Sequence, residues 1–373
     1  MNAHRDVDLF LRAHFDATAD PSVADGQIDA VLTATAGARQ QPAWLAVLRS
    51  HPMSTTARSL GRPIAAPAWV LLIVLALLVA ITAVGIGTGA IRLPSPAPVN
   101  GPIVFGRFDA SVGDTAVLIA RPDGSGQRLV VPAPAECPQL SPDGSRLAIA
   151  FGVVNIDGTN RRVFGDPLPD VTLGCSTWSP DGTRLAVEGF NDSDPSIAGV
   201  FLTAADDGSD PQRLTTNGQG GNDVPGDWSP DGRQVAFVRA LAGQENGTIW
   251  VADVATGAAR QVIPNVVGLG VSWSSDGQWL VASRALAQGQ ASQFIVVRPD
   301  GSDLRTIALP ETHNWATNPS FSPDGTRVVF NMAIGTSNNA DIYTMKLDGT
   351  DLVQITNTPN DNEYFVDWGI DPR

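Results

Sequence analysis

Trp228-Ser229-Pro230-Asp231-Gly232-Arg233-Gln234-Val235-Ala236-Phe237 reads as the end of one strand, a tight turn and the start of a second strand. Asp-Gly between two β-rich runs is the strongest short-range hairpin signal, because Gly accepts a positive φ and Asp tolerates one. The same block returns as Ser141-Pro142-Asp143-Gly144, Ser179-Pro180-Asp181-Gly182, Ser274-Ser275-Asp276-Gly277 and Ser322-Pro323-Asp324-Gly325. Successive copies are separated by 38, 50, 45 and 48 residues, so the unit is about 45 residues long. Trp178, Trp228, Trp273 and Phe321 stand directly before the Ser, with Leu140 in the odd copy.

A second hairpin follows each block, turning at Asp123-Gly124, Asp157-Gly158, Asp207-Gly208, Thr256-Gly257, Asp300-Gly301 and Asp348-Gly349. Four strands in each unit of this length is the signature of a propeller blade. The run Ile103-Val104-Phe105-Gly106 reads as a second strand with no first strand before it, and the last, Phe365-Val366-Asp367-Trp368, as a first strand with no second after it. The simplest assembly is an all-β, six-bladed β-propeller in which the C-terminal strand completes the first blade and no sheet edge is left open.

The Trp-Ser-Pro-Asp-Gly-x-x-(Leu/Val)-Ala unit and its Asp-Gly-Thr hairpin resemble the repeat of TolB-like β-propellers, which also occurs in the propellers of prolyl-oligopeptidase-type enzymes. Residues 228–236 and 341–349 match best, and the resemblance covers roughly residues 101–373. It implies a binding scaffold in which Asp143, Asp181, Asp231, Asp276 and Asp324 form turns. The nearest string to a hydrolase nucleophile elbow, Gly270-Val271-Ser272-Trp273-Ser274, sits inside a repeat strand, where an elbow would need a strand-to-helix turn.

Between Arg62 and Arg92 lie 29 residues without a charge, almost entirely apolar from 67 to 91. About 20 such residues cross a bilayer as a helix, so the sequence predicts one transmembrane helix at 67–91. Arg49, Arg58 and Arg62 precede it while Arg92 and Arg107 follow, which puts the N-terminus inside. Four regions result: a short helical cytoplasmic segment at 1–62, the transmembrane helix, a Pro-rich stalk at 92–100, and an extracytoplasmic propeller at 101–373.

Charge divides along the same lines. Residues 1–92 carry a net +1, leaving −15 for the remainder. A domain that acidic repels phosphate backbones, which argues against nucleic acid as a partner. In a four-stranded blade all the Asp-Gly turns emerge on one face, and connections of varied length and chemistry collect on the other, where ligand contacts are expected. Glu311, His313 and Trp315 form the most distinctive of these loops, with Asp361 and Glu363 expected on the neighbouring blade, as a mouth for a small or cationic ligand. His313 is the only His in the propeller, so no His-rich metal site is expected. No cofactor is implied, although oxygen ligands leave calcium open.

Cys137 and Cys175, the only cysteines, each lie four residues before a repeat Ser on adjacent blades. Outside the cytoplasm they can pair as a disulfide if their strand ends line the channel, and otherwise stay as buried thiols. The leading functional expectation is a membrane-anchored binding or scaffolding propeller that takes a protein or small molecule on its variable-loop face. It would pass occupancy to a cytoplasmic partner of residues 1–62. The alternative is a metal-assisted hydrolase or lactonase acting at the channel mouth.

Overall fold

A computed structural model describes residues 98–371, apart from 151, 166–169, 192, 218–219, 242–243, 245, 285–292, 310–312 and 336–338. The expected cytoplasmic segment, transmembrane helix and most of the stalk lie outside the described residues. No helix among the described residues is long and apolar enough to cross a membrane.

The described chain is all β apart from a short 3-10 turn at Pro195–Ile197. Strands β1 (Asn100–Asp109), β2 (Asp114–Ala120) and β3 (Arg128–Val131) form an antiparallel meander. A second comprises β4 (Gln139–Leu140), β5 (Arg146–Ile149), β6 (Gly152–Asn155) and β7 (Arg162–Val163). A third comprises β8 (Thr172–Trp178), β9 (Arg184–Phe190), β10 (Gly199–Ala204) and β11 (Gln212–Arg213).

Seven strands then share one sheet: β12 (Asp223–Trp228), β13 (Gln234–Arg239), β14 (Gly247–Asp253), β15 (Ala259–Trp273), β16 (Leu280–Arg284), β17 (Gln293–Val297) and β18 (Arg305–Ile307). The last meander runs β19 (His313–Phe321), β20 (Arg327–Ile334), β21 (Asp341–Lys346) and β22 (Val353–Gln354). Strand β23 (Glu363–Ile370) returns to the first sheet, giving the order β23-β1-β2-β3. Trp368 pairs with Ile103 and Asp367 with Val104, so the two ends of the described chain are held in one sheet.

The repeat turns explain why these residues fold this way. In each copy the Gly N–H donates to the Ser carbonyl at 2.8 Å, and the Gly φ lies between 69° and 73°. Gly is the residue that adopts this conformation without strain. The Asp is not at positive φ. Its carboxylate instead accepts the Ser hydroxyl, at 2.6 Å for Asp143, Asp181 and Asp276 and 2.7 Å for Asp231 and Asp324. It also accepts the N–H two residues on, at 2.9–3.1 Å. This is the pattern of a type I turn, with Pro preset at its second position in four of the five copies and the Asp side chain as acceptor.

The apolar cores lie between neighbouring sheets. Val104, Val117 and Ile119 of the first sheet meet Leu147, Ile149 and Val154 of the second. Two indoles tie sheets together as well: Trp178 Nε1 donates to the Gln139 carbonyl at 3.1 Å and Trp228 Nε1 to the Thr177 carbonyl at 3.2 Å. The seven-stranded sheet packs on itself, Ala236, Val238 and Ile249 of its first half sharing a core with Trp273, Leu280 and Ile295 of its second. Within it β15 pairs with β14 over 259–266 and with β16 over 266–273. Strands β4, β8, β12, β15, β19 and β23 touch in that order, and β23 touches β4, which closes a ring around an axial channel.

Trp368 is 5% exposed and packs with Ile103 and Phe105, so Trp368→Ala should destabilise the chain by about 3–5 kcal/mol. Phe108→Ala, at a position 40% exposed on the same sheet, should cost under about 1 kcal/mol. Urea unfolding of the two variants checks the contrast.

Candidate functional site

The inner strands are irregular at one level of the channel. Register shifts fall between Leu173 and Ser176 in β8, Pro225 and Asp227 in β12, Val267 and Val271 in β15, and Thr317 and Ser320 in β19. Cys137, Asn318 and Phe365, at equivalent places in the repeat, each have φ 52°. A bulge inserts a residue, bends its strand and re-aims the side chains beyond it. Gly270 shows how closely the strands approach here: a Cβ on it would lie 2.8 Å from Asn318 Cα.

Beyond the bulges, the residue directly before each repeat aromatic faces the axis. Gln139, Asp227, Ser272, Ser320 and Asp367 border both of the channel's cavities and form the waist between them. The cavity on the variable-loop side is about 70 Å³, rimmed by Pro225, Leu269, Asn318, Phe365 and the Cys137–Cys175 disulfide. The cysteines' Cα atoms are 5.4 Å apart, and the bond joins the segment before β4 to β8. The cavity on the Asp-Gly side is about 260 Å³.

Two carboxyl groups dominate the waist. Asp227 accepts its neighbour's Trp228 N–H at 2.8 Å and reaches the next inner strand to accept Trp273 N–H at 2.9 Å. Asp367 accepts Leu140 N–H at 2.9 Å on the strand that follows it around the ring. Serines bridge the two acids. Ser272 Oγ donates to Asp227 at 3.4 Å, Ser320 Oγ lies 3.5 Å from Ser272 Oγ, and Ser320 Oγ donates to Asp367 at 3.1 Å.

Burial pushes Asp227 up to about 7, and the charge of Asp367 adds to the rise while the N–H donors oppose it. Burial raises Asp367 as well. Near neutral pH Asp227 is therefore partly protonated. Ser272 is the serine of the string nearest to a nucleophile elbow, and it lies within β15, a strand and not an elbow.

The sequence-predicted rim residues are partly brought together. Glu311 lies outside the described residues. His313 opens β19 with its backbone paired to Ile334, and half-buried Trp315 pairs with Ala333 in the same sheet. Asp361 and Glu363 meet around Arg107. Glu363 is fully buried and accepts Arg107 Nε at 2.9 Å, Arg107 Nη2 at 2.6 Å and Thr358 Oγ1 at 3.0 Å, with Thr356 on its other oxygen. Asp361 stands 3.8 Å from the same guanidinium.

The arrangement recurs elsewhere. Buried Asp223 accepts Arg239 at 2.7 and 2.6 Å and Thr215 at 2.7 Å. An inner-strand acid, a second-strand Arg and a loop Thr thus clamp the connection to the sheet in two places, which is a structural use of Glu363. Among the described residues no group of three or more His, Cys, Asp and Glu side chains is placed to hold a metal ion.

The residues missed from sequence are Asp227 and Asp367. A signal was present, since an acid directly before the repeat Trp, in Asp227-Trp228 and Asp367-Trp368, sits on the innermost strand. Glu188 is a further buried acid, 8% exposed on β9. Burial pushes it up to about 7, opposed by the Cys175 N–H and the Asn222 side chain, with the Asp223 charge adding to the rise.

No family model matches the chain. It is similar to the uncharacterized peptidase YuxL of Bacillus subtilis, 25% identical over 229 residues, which cover 56% of this chain and 31% of that protein. It is also similar to a TolB homolog of Chlorobium luteolum, 34% identical over 103 residues, covering 27% of this chain and 22% of that protein. The chain thus spans less than a third of either curated relative. Among solved structures, TolB from Acinetobacter baumannii superposes with TM-score 0.56 at 17% identity, covering 72% of this chain and 66% of that one. That likeness shows the fold.

A raised carboxyl pKa makes the ionised form the costly one in the folded state. Its stabilising contribution is complete below the unfolded value near 4.5 and is lost as pH rises through about 7. Glu188→Gln should therefore stabilise the protein at pH 8, on the order of 3 kcal/mol. At pH 4.5 it should change little. Urea midpoints at the two pH values read this directly.

Proposed function

We propose that this TolB-like β-propeller is a membrane-anchored binding protein displayed outside the cytoplasm, and that its ligand site is the axial channel entered from the variable-loop face. Residues 67–91 serve as the anchor and 1–62 as the cytoplasmic segment, supported by the uncharged run and its flanking arginines. The propeller has six blades when β15 counts as the outermost strand of one and the innermost of the next. The core that its two halves share, like the core between the first two separate sheets, supports that count.

The observation that carries the binding reading is the serine-bridged pair Asp227 and Asp367, which borders both cavities. Partly dehydrated carboxyls behind an apolar rim of Leu269, Pro225 and Phe365 suit an ammonium or guanidinium group on an otherwise apolar body. A lysine or arginine side chain of a protein partner and a small amine both have that chemistry. The gain on binding comes from exchanging the proton on Asp227 for a fixed cation in a low-dielectric site. Occupancy of the channel would then be passed to residues 1–62.

Calorimetry with lysine- and arginine-terminated tripeptides tests this. Binding should release protons near pH 7 and weaken at least about tenfold in Asp227→Asn or Asp367→Asn, matching a lost charge-assisted contact. Unchanged affinity in both variants would remove the channel from the reading. Metal analysis of the purified protein tests the hydrolase alternative, which a tightly held stoichiometric cation would favour.

A further inference from the structure

Resting on the reading of the channel as a cation site, we infer that its waist is gauged for one primary ammonium nitrogen on the axis, the group that ends a lysine side chain, and excludes a guanidinium or a bare metal ion. The inner strands follow one another around the ring in the order β4, β8, β12, β15, β19 and β23. Asp227 lies on β12 and Asp367 on β23, three places apart in a ring of six, so the two carboxyls stand on opposite sides of the axis. Ser272 and Ser320 fill the two places between them on one side, and Gln139 and Thr177 hold the corresponding places on the other.

Four oxygens give the size of this ring. Asp227 Oδ2, Ser272 Oγ, Ser320 Oγ and Asp367 Oδ1 follow one another at 3.4, 3.5 and 3.1 Å, which takes them halfway around. In a ring of six the centre lies as far from each member as neighbouring members lie from one another, so an atom on the axis has these oxygens at 3.1–3.5 Å. One level toward the variable loops, Cys137 and Cys175 hold equivalent places on adjacent inner segments, and their Cα atoms are 5.4 Å apart, which puts the main chain at a matching radius outside the oxygens. The ring resists contraction because its side chains are tied to the main chain of the next inner strand. Asp227 accepts Trp273 N–H at 2.9 Å, Ser272 Oγ accepts Phe321 N–H at 3.2 Å, and Asp367 accepts Leu140 N–H at 2.9 Å.

These dimensions select among cations. Charged N–H···O bonds run at about 2.7–2.9 Å, which an ammonium nitrogen reaches by a small shift from the centre. It has three N–H donors and no acceptor, and two opposed carboxyls with a serine oxygen between them take all three. Calcium needs its oxygens at about 2.3–2.6 Å, well inside a ring that is fixed from behind. A guanidinium carries its nitrogens about 1.3 Å out from its central carbon, so on the axis they would come within roughly 2 Å of the ring oxygens, too close for a hydrogen bond. The 70 Å³ cavity above the waist, with Pro225, Leu269 and Phe365 at its rim, then receives the unbranched alkyl stem.

Calorimetry on the full chain in detergent tests the gauge, using N-acetylated tripeptides that end in lysine, arginine or trimethyllysine. The lysine peptide should bind at least about tenfold more tightly than the other two, and millimolar calcium should not displace it. In Ser320→Ala, which takes one oxygen out of the ring, the preference for lysine over arginine should fall toward one. Arginine or trimethyllysine binding as tightly as lysine, displacement by calcium, or an unchanged preference in Ser320→Ala would overturn the gauge and leave the cation site standing. Binding of none of the three peptides would overturn both.

Discussion

The pairing of β23 with β1 is the constraint on which the molecule depends. Meanders of short strands, several with outer edges only two residues long, cannot bury an apolar face alone. Each relies on the next sheet for half of its core. Such a chain of sheets has two exposed ends unless it closes. Here the last strand supplies the innermost position of the first sheet, and the Trp368 indole donates to the Gly101 carbonyl at 3.1 Å across that seam. Closure also creates the channel, since the inner strands surround an axis only when the ring is complete.

What the sequence made legible was the chemistry that acts over a few residues. Ser-Pro-Asp-Gly declared its turns, though Asp231 works through its carboxylate and not through the positive φ that its type tolerates. The ends pairing in one sheet could be inferred by counting. Less accessible was the continuity of β15, where Asn265 at φ 62° and Gly268 at φ 73° bend one long strand from outer edge to inner wall without a turn. Loop and strand there share a single hydrogen-bonded ladder.

Site chemistry was harder to read, for two physical reasons. Glu363 looked available because nothing nearby in sequence neutralises it; Arg107, which does, lies 256 residues away and meets it only through ring closure. Asp227 and Asp367 were overlooked because a bulge shifts the alternation of an inner strand by one position. The residue before each aromatic is turned to the axis, where simple alternation does not assign it. Acids in the sequence thus divide between clamps, turn formers and channel residues by contacts that only the folded ring makes.

The turn carboxylates lead to an electrical consequence. Hydroxyl donors hold Asp143, Asp181 and Asp231 below the usual carboxylate range, as the hydroxyls of Thr159 and Thr350 hold Asp157 and Asp348. Asp227 and Glu188, in contrast, titrate near neutrality. Mild acidification therefore discharges the protein from the inside outward: its interior loses negative charge while the rim of turns stays fully anionic. A protein built this way can alter what its pore attracts without altering how its outer rim repels.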